Sequence, residues 1–279
     1  VRVYGVDFTS APSARKPICV AVCRLAGDRL TFERLDRLRT LDAFAAALAV
    51  PGPWIAGFDF PFTQSRTFLR NIGWPEDWGD YARQIGGMTR PAFRAALEAY
   101  KAEREPGDRE HSREFERGSG AVSPQKLYGV PVALMQFEGA PRLLKAGLDL
   151  PGLMHGDPTR IGVEAYPGVA ARALIGRRSY KAEERSRQTA ELREARDLLL
   201  GRLTGEPGRA RFGLTVTAPA RLAEDPGADT LDALLCAVQA AWASRLMEQE
   251  PERLAGLDLS GGWIADPDIL PRLPQRPGT

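Results

Sequence analysis

Histidine is nearly absent from this chain, with two in 279 residues, and cysteine is scarce, with three. Cys19, Cys23 and Cys236 lie in apolar surroundings without C-x-x-C spacing or a matching histidine set. That excludes the usual zinc-site patterns and assigns the thiols to core packing in a reducing compartment. No stretch approaches the roughly 18 apolar residues of a membrane span, and VRVYGVDF lacks the layout of a signal peptide, so a cytoplasmic location is expected. An excess of one charge is also missing: 38 Lys and Arg against 36 Asp and Glu leave a net +2. The whole-molecule field therefore gives no sign of nucleic-acid binding, and any basic groove must be local. No internal repeat is present. With 43% hydrophobic and 27% charged residues, the composition is that of an ordinary globular protein. The length suits one large domain or a core with a substantial insertion.

The chain is organised around GVDFTS, residues 5–10, where an apolar run ends on a single carboxylate, Asp7. An acid at the C-terminal end of a central strand is where open α/β sheets place ligand chemistry. Residues 16–27 and 29–35 read as two further strands joined at Gly27-Asp28, completing a three-strand antiparallel meander. Thr40 caps a short Ala-rich helix that the Pro51-Gly52-Pro53 break ends. WIAGFDFPF is a fourth strand that also stops on one acid, Asp59, with Pro61 blocking further pairing.

Residues 62–160 read as a mainly helical insertion, with an amphipathic helix within residues 122–147. The mixed-charge run at 101–117 is a solvated helix or loop, with a substrate lid as the sharper alternative, and His111 within it faces solvent. RIGVEAYPG is a fifth strand ending on Glu164, and a helix follows at 169–176. Next come a charged helix over about 181–200, a looser region at 204–227 and a long helix at 228–247. The small residues Ala233, Cys236, Ala237 and Ala240 of that last helix let it lie close to the sheet. Trp263 and Ile264 dock on the core before a Pro-rich end that frays.

Asp7, Asp59, Glu164 and the Asp229/Asp232 pair thus sit at element ends in separate segments. Carboxylates crowd together only with a compensating cation. Hard oxygen donors of this kind suit Mg²⁺ or Mn²⁺, and two such ions about 3.5–4 Å apart are a standard device for phosphodiester cleavage. Each acid also has a structural reading. Asp7 forms an Asx turn with Thr9 and Ser10, Asp59 caps the next helix, and Glu164 pairs with Arg177, Arg178 or an insertion arginine. Asp229 serves the first turn of the last helix, which leaves Asp232 as the better metal candidate. Thr9 and Ser10 either contact substrate or cap the turn. Lys126 and Tyr128 are candidates for phosphate and for base or sugar, respectively, with a surface-snorkelling lysine as the bland alternative. His155 is an ordinary loop histidine.

GVDFTSAP, IAGFDFPF, SPQKLYGVP, VEAYPG and DTLDALLCAVQAAW, spread over nearly the whole chain, together resemble the family known as domain of unknown function four-two-nine, predicted to be RNase H-like nucleases. The resemblance implies an α/β fold: an RNase H-like mixed five-stranded sheet flanked by helices, with strands one, four and five parallel and the first in the middle. It also implies a last helix that delivers an acid. On that pattern Asp7 bridges two metals, Asp59 and Asp232 each hold one, and Glu164 completes a shell or orients water in a divalent-metal-dependent nuclease or phosphodiesterase. A non-catalytic nucleotide or nucleic-acid binder that keeps the sheet is the alternative. An actin-like ATPase, suggested by GVDFTS, would need two such domains and a Gly-rich phosphate loop, which Phe8-Thr9-Ser10-Ala11 is not.

Overall fold

The computed structural model describes residues 1–182 and 185–276. Glu183 and Glu184 of the expected charged helix, and residues 277–279 of the end expected to fray, lie outside them. The order along the chain begins β1 (Arg2–Asp7), β2 (Ile18–Ala26), β3 (Arg29–Leu38), α1 (Leu41–Leu48) and β4 (Trp54–Phe58). The helices α2 (Arg66–Ile72), α3 (Trp78–Gly86), α4 (Arg90–Ala102) and α5 (Val132–Ala146) come next, and then β5 (Leu148–Asp149) and β6 (Asp157–Glu164). After them follow α6 (Pro167–Ile175), α7 (Ala190–Thr204), α8 (Glu206–Phe212), β7 (Thr215–Thr217), α9 (Asp229–Gln249) and α10 (Glu252–Ala255).

These strands form one mixed sheet in the order β5-β6-β4-β1-β2-β3-β7. The meander is present, with β2 antiparallel to β1 and β3 antiparallel to β2. On the other side of β1, β4 and then β6 run parallel to it. Five strands were expected and the sheet has seven. The additions are edge strands: β5, of two residues, beside β6, and β7, of three, beside β3. Neither is long enough to show alternation, which is why the pattern reads through them. The Thr40 hydroxyl caps α1 by accepting from the Ala43 amide.

The sheet separates two cores. One face carries Val3, Ile55 and Val163 against α9, with α6, α7 and α8 beyond it. The opposite face carries Val6, Val20 and Phe58 against α1 and the helices α3, α4 and α5 of the insertion. The insertion therefore builds one of the two cores instead of standing apart. Helix α9 is buried nearly all round between the sheet and the outer helices, as its apolar composition on every side requires. The region 204–227, read as loose, holds α8, started by Pro207 near its first position, and β7. The charge run at 101–117 is not uniformly solvated either. His111 bonds the Tyr100 hydroxyl at 2.7 Å with only 12% of its side chain exposed, which corrects the expectation that it faces solvent. Periodicity showed only a polar stretch and could not see that Tyr100 reaches back over it.

Candidate acidic site at the sheet edge

Two short sequences, Gly5-Val6-Asp7 and Gly57-Phe58-Asp59, run along and off the ends of the parallel strands β1 and β4. Gly5 pairs with Gly57 and Val6 with Phe58, and the Asp59 amide donates to the Val6 carbonyl at 2.9 Å, so the two motifs are in register. Residues two apart share a face of a strand, so each aspartate follows its glycine onto the face that α9 covers. A Cβ at Gly5 would stand 1.9 Å from the Ala233 carbonyl oxygen, and one at Gly57 2.4 Å from that of Cys236. The helix backbone thus lies directly on the strands, and Asp232, one residue before Ala233, arrives fully buried at the same edge.

Burial, followed by the charges of Asp232, Asp59 and Asp229, holds the Asp7 carboxyl well above the ordinary carboxylate range. Burial also pushes Asp59 up to about 7, with Lys181 opposing the shift and Asp232 and Glu164 adding to it. Both side chains keep partial contact with solvent. They sit in a recess whose walls remove much of their hydration without enclosing them. Among the described residues neither carboxylate has a hydrogen-bond partner. Asp59 therefore binds a proton in the native state up to about 7, whereas the unfolded chain releases it near 3.8. The metal-free protein is expected to lose stability as pH rises through that window, and Asp59→Asn to flatten part of the slope in thermal melts.

Lys181 and Tyr180 complete the site, and sequence reasoning missed their role. The Tyr180 hydroxyl donates to Asp232 Oδ1 at 2.8 Å and the Lys181 ammonium to Asp232 Oδ2 at 2.5 Å. Although 46% of the Lys181 side chain is exposed, its ammonium ends on the buried Asp232 carboxylate. That burial disfavours its charge, but Asp232, Tyr180 and Asp59 outweigh it and raise the pKa well above the ordinary lysine value. Lys181 follows Arg177 and Arg178, which are exposed, and nothing in the local sequence singles it out. The doubled G-x-D pattern was the stronger overlooked signal.

Glu164 is placed differently from the three aspartates. It pairs with Phe58, not Gly57, so its side chain leaves the opposite face of the sheet. There it accepts from the Phe62 amide at 3.0 Å and from Arg113, whose guanidinium also binds Glu116. Arg113 and Glu116 are 4% and 3% exposed. Burial raises the Glu164 pKa, and Arg113 works against that shift. The insertion-arginine reading of Glu164 thus has a named partner, and the carboxylate reaches the sheet edge already bonded. Arg113→Leu would leave two buried acids without their cation, and urea denaturation is expected to show a loss of about 3–5 kcal/mol.

The four residues expected to touch substrate divide into two groups. Ser10 is tied to the insertion: Arg90 donates to its carbonyl at 2.7 Å and to its hydroxyl at 3.0 Å. Thr9 Oγ1 accepts weakly from the Ala11 amide at 3.5 Å, in keeping with a turn role. Lys126 lines the cavity beside Asp59, with its ammonium 5.3 Å from the centre of the Tyr128 ring. Tyr128 itself is 66% exposed. Asp229 lies in the first turn of α9, where the Thr230 amide donates to Asp225 at 3.2 Å. The exposed His155 stays in its loop, 3.8 Å from Asp149.

Among the described residues no three His, Cys, Asp or Glu side chains form a group ready to hold a metal ion. The chemistry of the donors nevertheless fits a hard divalent cation. Asp7 and Asp59 are unbonded carboxylates, and Mg²⁺ takes one or two carboxylates while keeping several waters. Asp232 already holds a cation, the Lys181 ammonium, which has to let go before Asp232 can serve another. No helix among the described residues is long and apolar enough to cross a membrane.

Neither a curated protein nor a solved structure matches the chain. A family model described as protein of unknown function, DUF429, matches residues 5–247, a span that takes in both G-x-D strands, Lys181 and the acid of the last long helix. The chain belongs to that family.

Proposed function

We propose that the protein is a divalent-metal-dependent phosphodiester hydrolase, a nuclease in the broad sense, with an RNase H-like core. The observation that carries the reading is the convergence of Asp7, Asp59 and Asp232 from β1, β4 and α9 on one recess, where the charge of Asp232 raises the pKa of both Asp7 and Asp59. The position of β1 between parallel β4 and antiparallel β2 supports the core assignment. Asp7, Asp59 and Asp232 would hold Mg²⁺ or Mn²⁺. When bound, the ion supplies Lewis-acid polarisation of a phosphoryl oxygen and lowers the pKa of bound water. Tyr180 keeps Asp232 oriented through its hydroxyl, and Lys181, released from Asp232, offers its charge to a phosphate oxygen. Glu164 acts by position, holding the Phe62 amide and Arg113 behind Asp59.

A second reading has its own support, because the Lys181 ammonium already satisfies Asp232 at 2.5 Å. On it, the site holds a nucleotide phosphate through Lys181 and turns nothing over. Incubation of single-stranded and duplex RNA and DNA, and of bis(p-nitrophenyl) phosphate, with Mn²⁺ or Mg²⁺ separates the two. Metal-dependent cleavage that disappears in Asp59→Asn is expected. Metal-independent binding of a nucleotide, lost in Lys181→Met and without turnover of any substrate, would transfer the assignment to the binder.

A further inference from the structure

A cavity of about 290 Å³ opens beside the acids, with Asp59, Lys181 and Lys126 among its lining residues. Its remaining wall is largely apolar and aromatic: Val122, Val130, Val132, Met135, Tyr166 and Tyr180. Both tyrosine hydroxyls are engaged, that of Tyr180 with Asp232 and that of Tyr166 in accepting from the Val122 amide at 3.3 Å. What the two side chains offer a ligand is therefore the ring. Arg113, Glu116 and Glu164 also line the cavity, but they are paired with one another in the buried cluster. Lys126 has no carboxylate partner among the described residues. The cavity thus combines a largely apolar and aromatic wall, one cation without a carboxylate partner among the described residues and, at Asp59, one of the site's acids.

We infer that this cavity takes up a single unpaired nucleobase whose phosphate lies on Lys126 and Lys181, so that the substrate is read one nucleotide at a time and not as a continuous duplex. The inference rests on the phosphodiesterase reading for which phosphate is attacked, and on the cavity itself for the base. Its volume of about 290 Å³ lies just below the range of about 300–1,000 Å³ for ligand pockets, which suits one base with its sugar. Aromatic faces accept any base because every base has a π-face. Duplex binding calls for a broad basic footprint, whereas the chain's net charge is only +2.

The test is calorimetric titration, in Mn²⁺, of the four nucleoside 5′-monophosphates, ribose 5-phosphate and a short DNA duplex. The protein is used as wild type, Val132→Trp and Met135→Trp. The two tryptophans enter the cavity wall from adjacent turns of α5, so one remains informative where the other fails to fold. At least one monophosphate is expected to bind about tenfold more tightly than ribose 5-phosphate, as base stacking implies. In the filled variants that ratio falls toward one while Mn²⁺ binding is unchanged. Equal binding of monophosphate and ribose phosphate by the wild type overturns the inference, as does a preference that survives in the variants, or a duplex that outcompetes every monophosphate. Base preference without any Mn²⁺ binding leaves the cavity's role standing and removes the metal-dependent hydrolase reading instead.

Discussion

Replacement of Asp7 by asparagine is expected to abolish metal-dependent turnover and, at the same time, to stabilise the metal-free protein near neutral pH. Both effects have one cause. Asp7 is held well above the ordinary carboxylate range by burial and by the neighbouring charges of Asp232, Asp59 and Asp229. In the metal-free native state its ionisation is therefore resisted, and asparagine removes that cost while keeping the shape. The sign follows from linkage: a carboxyl whose native pKa is raised binds its proton more tightly folded than unfolded, so the wild type loses stability as pH rises above about 4. The difference between Asp7→Asn and wild type should grow with pH in thermal melts and vanish below that value. Turnover should fall by at least about a hundredfold, the scale on which loss of one preorganised electrostatic partner acts. A variant that cleaves normally, or that is less stable than wild type at pH 8, would remove Asp7 from the role given to it.

A substitution that touches no charge is expected to do comparable damage. Gly5→Val places a side chain where the Ala233 carbonyl and the Ala237 amide of α9 already stand, at 1.9 and 2.2 Å from the Cβ position. Both obstacles are backbone, so no rotamer change relieves the clash, and the helix must lift from the sheet. Overpacking of a core costs about 1–3 kcal/mol where side chains can yield; here the loss should lie at or beyond the upper end. Because Asp232 immediately precedes Ala233, the acid edge should be dislocated with the helix, and metal-dependent turnover lost with it. Gly27→Ala is the control. Gly27 has φ +60 in the β2–β3 turn and no atom within 4 Å of its Cβ position, so it should cost only about 1–2 kcal/mol of backbone strain. Urea denaturation of the two variants measures the contrast. A Gly5→Val protein as stable as Gly27→Ala would mean that the helix does not rest on β1 as described.

Much of this arrangement was legible in the residues. The meander, α1 with its Thr40 cap, and the acids at the ends of β1 and β4 follow from apolar runs broken by glycine, proline and aspartate. The stripe of small residues on α9 correctly announced close contact with the sheet, and its glycine counterparts, Gly5 and Gly57, lay unread two residues before each acid. What escaped depended on partners distant in the chain. One strand's pattern cannot show how it is registered against its neighbour, and a one-residue offset puts Glu164 on the other face from Asp59. Arg113 sat in a run of mixed charges that reads as solvated, yet two acids, Glu116 close by and Glu164 far along the chain, draw it into the interior. Lys181 lies outside any helix or strand, where no periodicity could aim its ammonium at Asp232.

The central claim is that Asp7, Asp59 and Asp232 form one cation-binding recess, with Lys181 as its resident cation in the absence of metal. Calorimetric titration of Mn²⁺ into the metal-free wild type and into Asp232→Asn at pH 8 tests it most directly. That pH lies above the value of about 7 at which Asp59 gives up its proton. The account predicts saturable binding to wild type, with proton release that increases as the titration is repeated at lower pH, and no binding to Asp232→Asn. An absence of saturable heat with wild type, or equal binding by the variant, would contradict it.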